Sequence, residues 1–168
     1  MTAPRVESAP ASFPGEVPLS GFDALMKNSV AQSYWARRLV AYVIDVLIVY
    51  VVLAIIGWAV ALPLFLLSGG SFLSVFGGYF LVLSGVIQFL YFFVAEMAIG
   101  STIGKRFLGL RVAADEGRPP NGAEAAIRNV SKIHWVLLLL DVVVGLATSK
   151  QYTKKYSDTL AHTSVVMA

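Results

Sequence analysis

The sequence has no cysteine, which excludes disulfide frameworks, thiolate metal sites and cysteine nucleophiles together. Charge is also scarce. Asp, Glu, Lys and Arg make up 14% of the 168 residues, against about 25% in soluble globular chains. The two histidines form no recognised zinc-ligand spacing, and no Lys/Arg run interleaved with aromatics suggests nucleic-acid binding. No serine lies in a Gly-x-Ser-x-Gly elbow. The expectation is a chain without enzymatic chemistry, metal, cofactor or nucleic-acid partner.

What is present is apolar surface, 57% of residues by type, gathered in blocks long enough to take lipid as solvent. Leu39 to Leu62, LVAYVIDVLIVYVVLAIIGWAVAL, holds one charge and exceeds the ~20 residues that cross a ~30 Å hydrocarbon core. Pro63 and the LLSGGS after it are expected to end that helix. A second block, 72–99, has small residues at Gly77, Gly78, Ser84 and Gly85, where a neighbouring helix can approach. A third, IHWVLLLLDVVVGLAT at 133–148, reaches only about 24 Å as a helix. It either crosses in a tilted arrangement or dips in and returns. The fold class expected is an all-α integral membrane protein, with membrane segments at about 38–63, 72–99 and 133–148.

The segment 1–32, with Pro4, Pro10, Pro14 and Pro18, reads as a flexible tail, leaving 33–168 as the membrane domain. No cleavable signal peptide is expected, because the first apolar block begins late and is too long. Positive charge sets orientation. Lys27, Arg37 and Arg38 precede the first block, while Lys105, Arg106, Arg111, Arg118, Arg128 and Lys132 follow the second. Both regions are therefore expected in the cytoplasm of a multi-pass plasma-membrane protein. Lys150, Lys154 and Lys155 favour the same side for the tail, which a returning third segment would satisfy. LRVAADEGRPP and HTSVVMA read as two short strands, and pairing between them would demand the same. AEAAIRNVSK at 123–132 fits an interfacial helix, with Ile127 and Val130 toward lipid and Arg128 and Lys132 toward phosphates.

Each charge inside an apolar block costs roughly 2.5 to 3.5 kcal/mol on insertion scales. Asp45 lies seven residues after Arg38, about 10 Å along one helix face, with Ala41 between. Asp141 falls at similar depth in the third segment. Glu96 and Gln88 bracket that layer, and His134 stands seven residues before Asp141. The candidate cluster is therefore Arg38, Asp45, Glu96, Asp141 and His134. It reads either as a proton or cation site or as a structural set of pairs that fixes helix register, and the structural reading is somewhat favoured. Asp158 and His162, at i and i+4, read as a solvated tail pair.

GSTIGKRFLGLRV at 100–112 imitates a phosphate-binding loop. The likeness fails. Only three residues separate Gly100 from Gly104, Arg106 stands where a hydroxyl is needed, and a membrane helix precedes it. The better reading is a turn at the membrane surface, with Lys105 and Arg106 held to anionic headgroups.

RRLVAYVID at 37–45, GSTIGKRFLGLRV at 100–112 and SDTLAHTSVV at 157–166, in that order, closely resemble the RDD family of small membrane proteins. The resemblance covers about residues 33–167. It assigns motif positions to Arg37, Gly100, Thr102, Gly104, Lys105, Arg106, Gly109, Asp158 and Thr163. The family's arginine looks like Arg38 and its first aspartate like Asp45; the second matches Asp141 or Asp158. His162 departs from the pattern, since the family often has glycine there. The resemblance implies a link to transport, with some members associated with sodium–proton antiport. Two functions are thus expected: a transport-related protein exchanging a small cation or proton, working as a homo-oligomer or with a membrane-protein partner, or an accessory subunit of a larger membrane complex.

Overall fold

The computed structural model describes residues 21–68, 72–148 and 153–167. The four prolines of the expected flexible tail lie outside these residues, as do the 69–71 connection and Lys150, and the surroundings of Gly77 and Gly78 are not described. Within the expected tail, residues 21–27 and 29–32 are helical, which corrects a flexible reading of that part. Helix α1 (Gly21–Lys27) leads into α2 (Ser29–Ser68), followed by α3 (Phe72–Ile99), α4 (Ile103–Phe107) and strand β1 (Leu110–Ala114). Helix α5 (Gly122–Asn129) continues as a 3-10 turn (Val130–Ile133). Helices α6 (Trp135–Thr148) and α7 (Tyr156–Leu160) and strand β2 (Thr163–Met167) complete the order.

Two helices are long and apolar enough to cross a membrane, over Ser29–Leu67 and Val82–Ile99. Helix α2 passes through Pro63 to Ser68, so the helix end expected at Pro63 is corrected. A proline removes one N–H and strains one turn, and membrane helices tolerate this where neighbouring groups re-satisfy the freed carbonyl. Its 40 residues rise about 60 Å, roughly twice the hydrocarbon core. The surplus at the N-terminal end carries Tyr34, which packs with Ala41, Leu110 and Val165 in a small core.

Helices α2 and α3 meet through stacked Tyr42 and Phe92, ring centroids 5.8 Å apart. The small residue at Gly85 acts as expected: a Cβ there would meet the Ile133 carbonyl oxygen at 2.5 Å, so α3 admits the end of the 3-10 turn. At His134 the chain bends by 116° between Gly122–Ile133 and Trp135–Thr148. At that angle α6 turns back along its approach more than it continues, and Leu146 near its end packs on Gly21 of α1. His134 is thus a kink residue with extended backbone, φ −142°, and does not share a helical face with Asp141.

The two expected strands pair antiparallel, Leu110 opposite Met167 and Ala114 opposite Thr163. The loop after α3 and the chain after α6 therefore lie together on one side. The turn after β1 closes at Gly117, φ +78°. Beyond it Asn121 and Glu124 cap α5 reciprocally, and Arg118 grips Glu124 with two hydrogen bonds of 2.6 and 2.9 Å. Ile127 and Val130 are exposed as expected, but Arg128 and Lys132 are buried. Their heads turn inward because acidic partners wait there.

Candidate functional site

Asp45, fully buried on α2, takes its partners from across the fold. Tyr91 Oη donates to its Oδ1 at 2.8 Å, the Gly104 backbone N–H to the same oxygen at 2.8 Å, and Thr102 Oγ1 to Oδ2 at 2.5 Å. Among the described residues it forms no ion pair. The motif GSTIGKR is legible in this contact. Gly100 turns at φ +71° and Thr102 caps α4. Gly104 allows α4 to lie against α2 so closely that a Cβ would overlap the Ala41 carbonyl oxygen and stand 3.0 Å from Asp45 Cγ. Gly109 is required by its left-handed φ of +63°, with open space around it.

Lys105 is buried and paired with Glu96, which corrects its expected role as a headgroup anchor; Arg106 is exposed beside it. Burial pushes the Lys105 ammonium below its ordinary pKa despite the opposing pull of Glu96. Glu96 also receives Lys132 at 3.3 Å and the Asn129 amide at 2.8 Å. Arg128 Nε lies 2.8 Å from its Oε2, without hydrogen-bond alignment. Lys132 lies over the Phe92 ring, 3.6 Å from its centroid.

Arg38 does not lean toward Asp45. Its Nη2 donates to Asp158 Oδ2 at 2.7 Å and its Nη1 to the Thr153 carbonyl at 2.8 Å, while its guanidinium covers Trp35, 4.8 Å from the ring centroid. Arg37 is exposed. Asp158 is fully buried and also faces Arg128 Nη2 at 3.2 Å; it is no solvated partner of His162. Burial would raise its carboxyl pKa, but Arg128, Arg38 and Lys155 hold it below the ordinary carboxylate range. Thr163 Oγ1 accepts from Arg128 at 2.9 Å.

Asp141 belongs to a third group. Lys155 pairs with it, and Ser131 and Ser157 donate to it at 2.6 and 2.7 Å, with the Ser157 backbone N–H at 2.6 Å. Burial lowers the Lys155 pKa against Asp158 and Asp141. Gln88 stands apart, donating to Tyr42 Oη at 3.0 Å.

The expected single cluster is therefore three linked groups. Arg38, Asp158 and Arg128 join to Glu96, Lys105 and Lys132 through Arg128; Lys155 with Asp141 adjoins them, and Asp45 is separate. Lys105, Arg128, Lys132, Lys155 and Asp158 are the residues that sequence reasoning left out of the cluster. The signal available was that a carboxylate buried in an apolar block requires cations brought to it, and the nearest surplus lay in 105–132. Among the described residues no three of His, Asp and Glu gather as metal ligands.

Two long apolar helices, a sharply bent third apolar segment and a buried ionic layer define an integral membrane protein. The chain belongs to the RDD family, whose pattern matches residues 33–162. No similar curated protein and no similar solved structure was found. His162, where the resemblance leads one to expect glycine, has a left-handed φ of +49°, the conformation that glycine adopts most freely.

Proposed function

We propose that this RDD protein is a non-enzymatic, transport-linked subunit of a larger plasma-membrane assembly, formed with its own copies or another membrane protein, in which the charge network is scaffold. The observation that carries this reading is charge pairing. Glu96, Asp141 and Asp158 share five cationic side chains, and Asp45 accepts from three protein donors. A carboxylate so engaged offers a cation little, and removing one member of such a set is costly. Large apolar side chains stay exposed along α2, α3 and α6, surface for lipid or neighbouring helices. The basic flanks favour a cytoplasmic N-terminus and sheet.

Purification in mild detergent tests it. The chain is expected to elute in a stoichiometric assembly that survives Glu96→Gln only if the variant still folds. A lone chain that supports ion flux after reconstitution would overturn the subunit reading.

A second reading, exchange of a small cation or proton, draws on the buried Lys132–Glu96–Lys105 arrangement, in which cations outnumber the carboxylate they share. Such crowding makes one proton cheap to release. Its test is cation-dependent proton flux in liposomes, expected to fall with Glu96→Gln and Asp45→Asn; flux unchanged by both removes the site.

A further inference from the structure

A second polar site lies away from the ionic layer. The end of the 3-10 turn meets α3 at Gly85, inside the apolar span Val82–Ile99 and about 21 Å from its Ile99 end by helix rise, so the bend at His134 sits beside a membrane-spanning segment. There a cavity of about 430 Å³ opens between α2, α3 and the bend, within the range of small-molecule sites. Tyr42, Tyr50, Gln88, His134 and Trp135 line it, and none of its lining residues is Asp, Glu, Lys or Arg.

The hydrogen-bond directions around it are uneven. Tyr42 Oη accepts from Gln88 at 3.0 Å, which leaves its own proton to donate. Tyr50 makes no hydrogen bond among the described residues. His134 Nδ1 accepts from the Val136 backbone N–H at 3.3 Å, so in the neutral ring the proton is on Nε2. Three donors, Tyr42 Oη, Tyr50 Oη and His134 Nε2, thus line the cavity against one side-chain carbonyl, that of Gln88; Tyr50 and His134 are exposed, and where lipid replaces water an unmet polar group is costly. Around them stand flat faces, His134 stacked on Trp135 with centroids 5.9 Å apart.

We propose that this cavity binds an uncharged, lipid-soluble molecule through its carbonyl oxygens. A formal charge would find no counter-charge, and a hydrocarbon would leave the donors unmet. A carbonyl accepts from tyrosine and imidazole N–H while remaining soluble in the bilayer. Two sources carry that group: a ring compound of the quinone class, which the aromatic walls suit, and the ester carbonyls of phospholipid. The site does not depend on the subunit reading, because it uses none of the ionic residues.

The test is equilibrium binding to the full chain in detergent micelles, with 1,4-naphthoquinone and phosphatidylcholine as separate probes and naphthalene as the carbonyl-free control. Binding is read by tryptophan quenching for the ring compounds and by native mass spectrometry for the lipid. One carbonyl probe is expected to bind saturably, and which one binds identifies the source. Its affinity should fall roughly tenfold in Tyr50→Phe and again in His134→Phe, about one hydrogen bond each. Both variants are first checked for an unchanged melting temperature, and Tyr50, half exposed, tolerates the change if His134 does not. Naphthalene binding as tightly as naphthoquinone, or carbonyl binding indifferent to Tyr50→Phe, overturns the proposal.

Discussion

Arg38 and Asp158, 120 positions apart in sequence, form a 2.7 Å ion pair that ties the membrane entry of α2 to the helix before the final strand. Arg38 also binds the Thr153 carbonyl, so one guanidinium holds the chain on both sides of Lys155. Replacing Asp158 by Asn leaves Arg38 and Arg128 buried against a neutral group. The expected cost is about 3 kcal/mol, the low end for breaking a buried pair, seen as a lower melting temperature in detergent and faster proteolysis after Thr148. Equal stability would mean that the pair is not structural.

The same carboxylate sets an acid limit. Its pKa is lower folded than unfolded, so its contribution is complete above the ordinary aspartate value of about 3.9 and is lost as pH falls through the depressed value. Stability measured as pH falls below about 4 should drop more steeply for the parent chain than for Asp158→Asn. Parallel curves would assign the acid sensitivity to other groups.

Gly104 and Gly109 separate two reasons for glycine. Gly104→Ala drives a methyl into the Ala41 carbonyl and Asp45, and loss of folded protein or at least about 3 kcal/mol is expected. Gly109→Ala meets open space and pays only for its left-handed backbone, about 1 kcal/mol. Melting temperatures of the two variants should fall in that order.

His162 offers a gain. It occupies the residue after the Ala161 C-cap with φ +49°, where glycine relieves the strain. His162→Gly should raise stability by about 0.5 to 1 kcal/mol. A decrease would show that the imidazole, 4.0 Å from Asp115, outweighs the backbone term.

Much of this was readable from residue order. Long apolar blocks gave the spans because lipid demands continuous apolar length, and the β-branched run at 163–167, with a short stretch at 110–114 closed by a turn and prolines, gave the strands because those signals are local. The Arg38–Asp45 pairing failed for the complementary reason. Seven-residue spacing places two side chains on a face but says nothing of stronger partners arriving from elsewhere, here Asp158 for the arginine and the Thr102–Gly104 turn for the aspartate. Lys105, Arg128 and Lys132 look like surface charges in any window of sequence; only the fold shows that Glu96 lies beneath them.

The absence of cysteine makes the shared side of loop and tail directly measurable. Single cysteines at the exposed Glu116 and His162 positions should respond identically to an impermeant maleimide, both protected in intact cells and both labelled after lysis. Labelling of one alone would contradict the pairing of β1 with β2.

That pairing also imposes an order on biosynthesis. Residues 105–132 emerge from the ribosome with Arg38, Lys105, Arg128 and Lys132 already made, but Lys155 and Asp158 follow some two dozen residues later, a delay of seconds at ordinary translation rates. During that interval the half-built layer holds surplus cations and β1 is an unpaired edge. The nascent chain must therefore wait at the bilayer surface, its lysines and arginines still hydrated, and close the layer only when β2 arrives to complete the sheet.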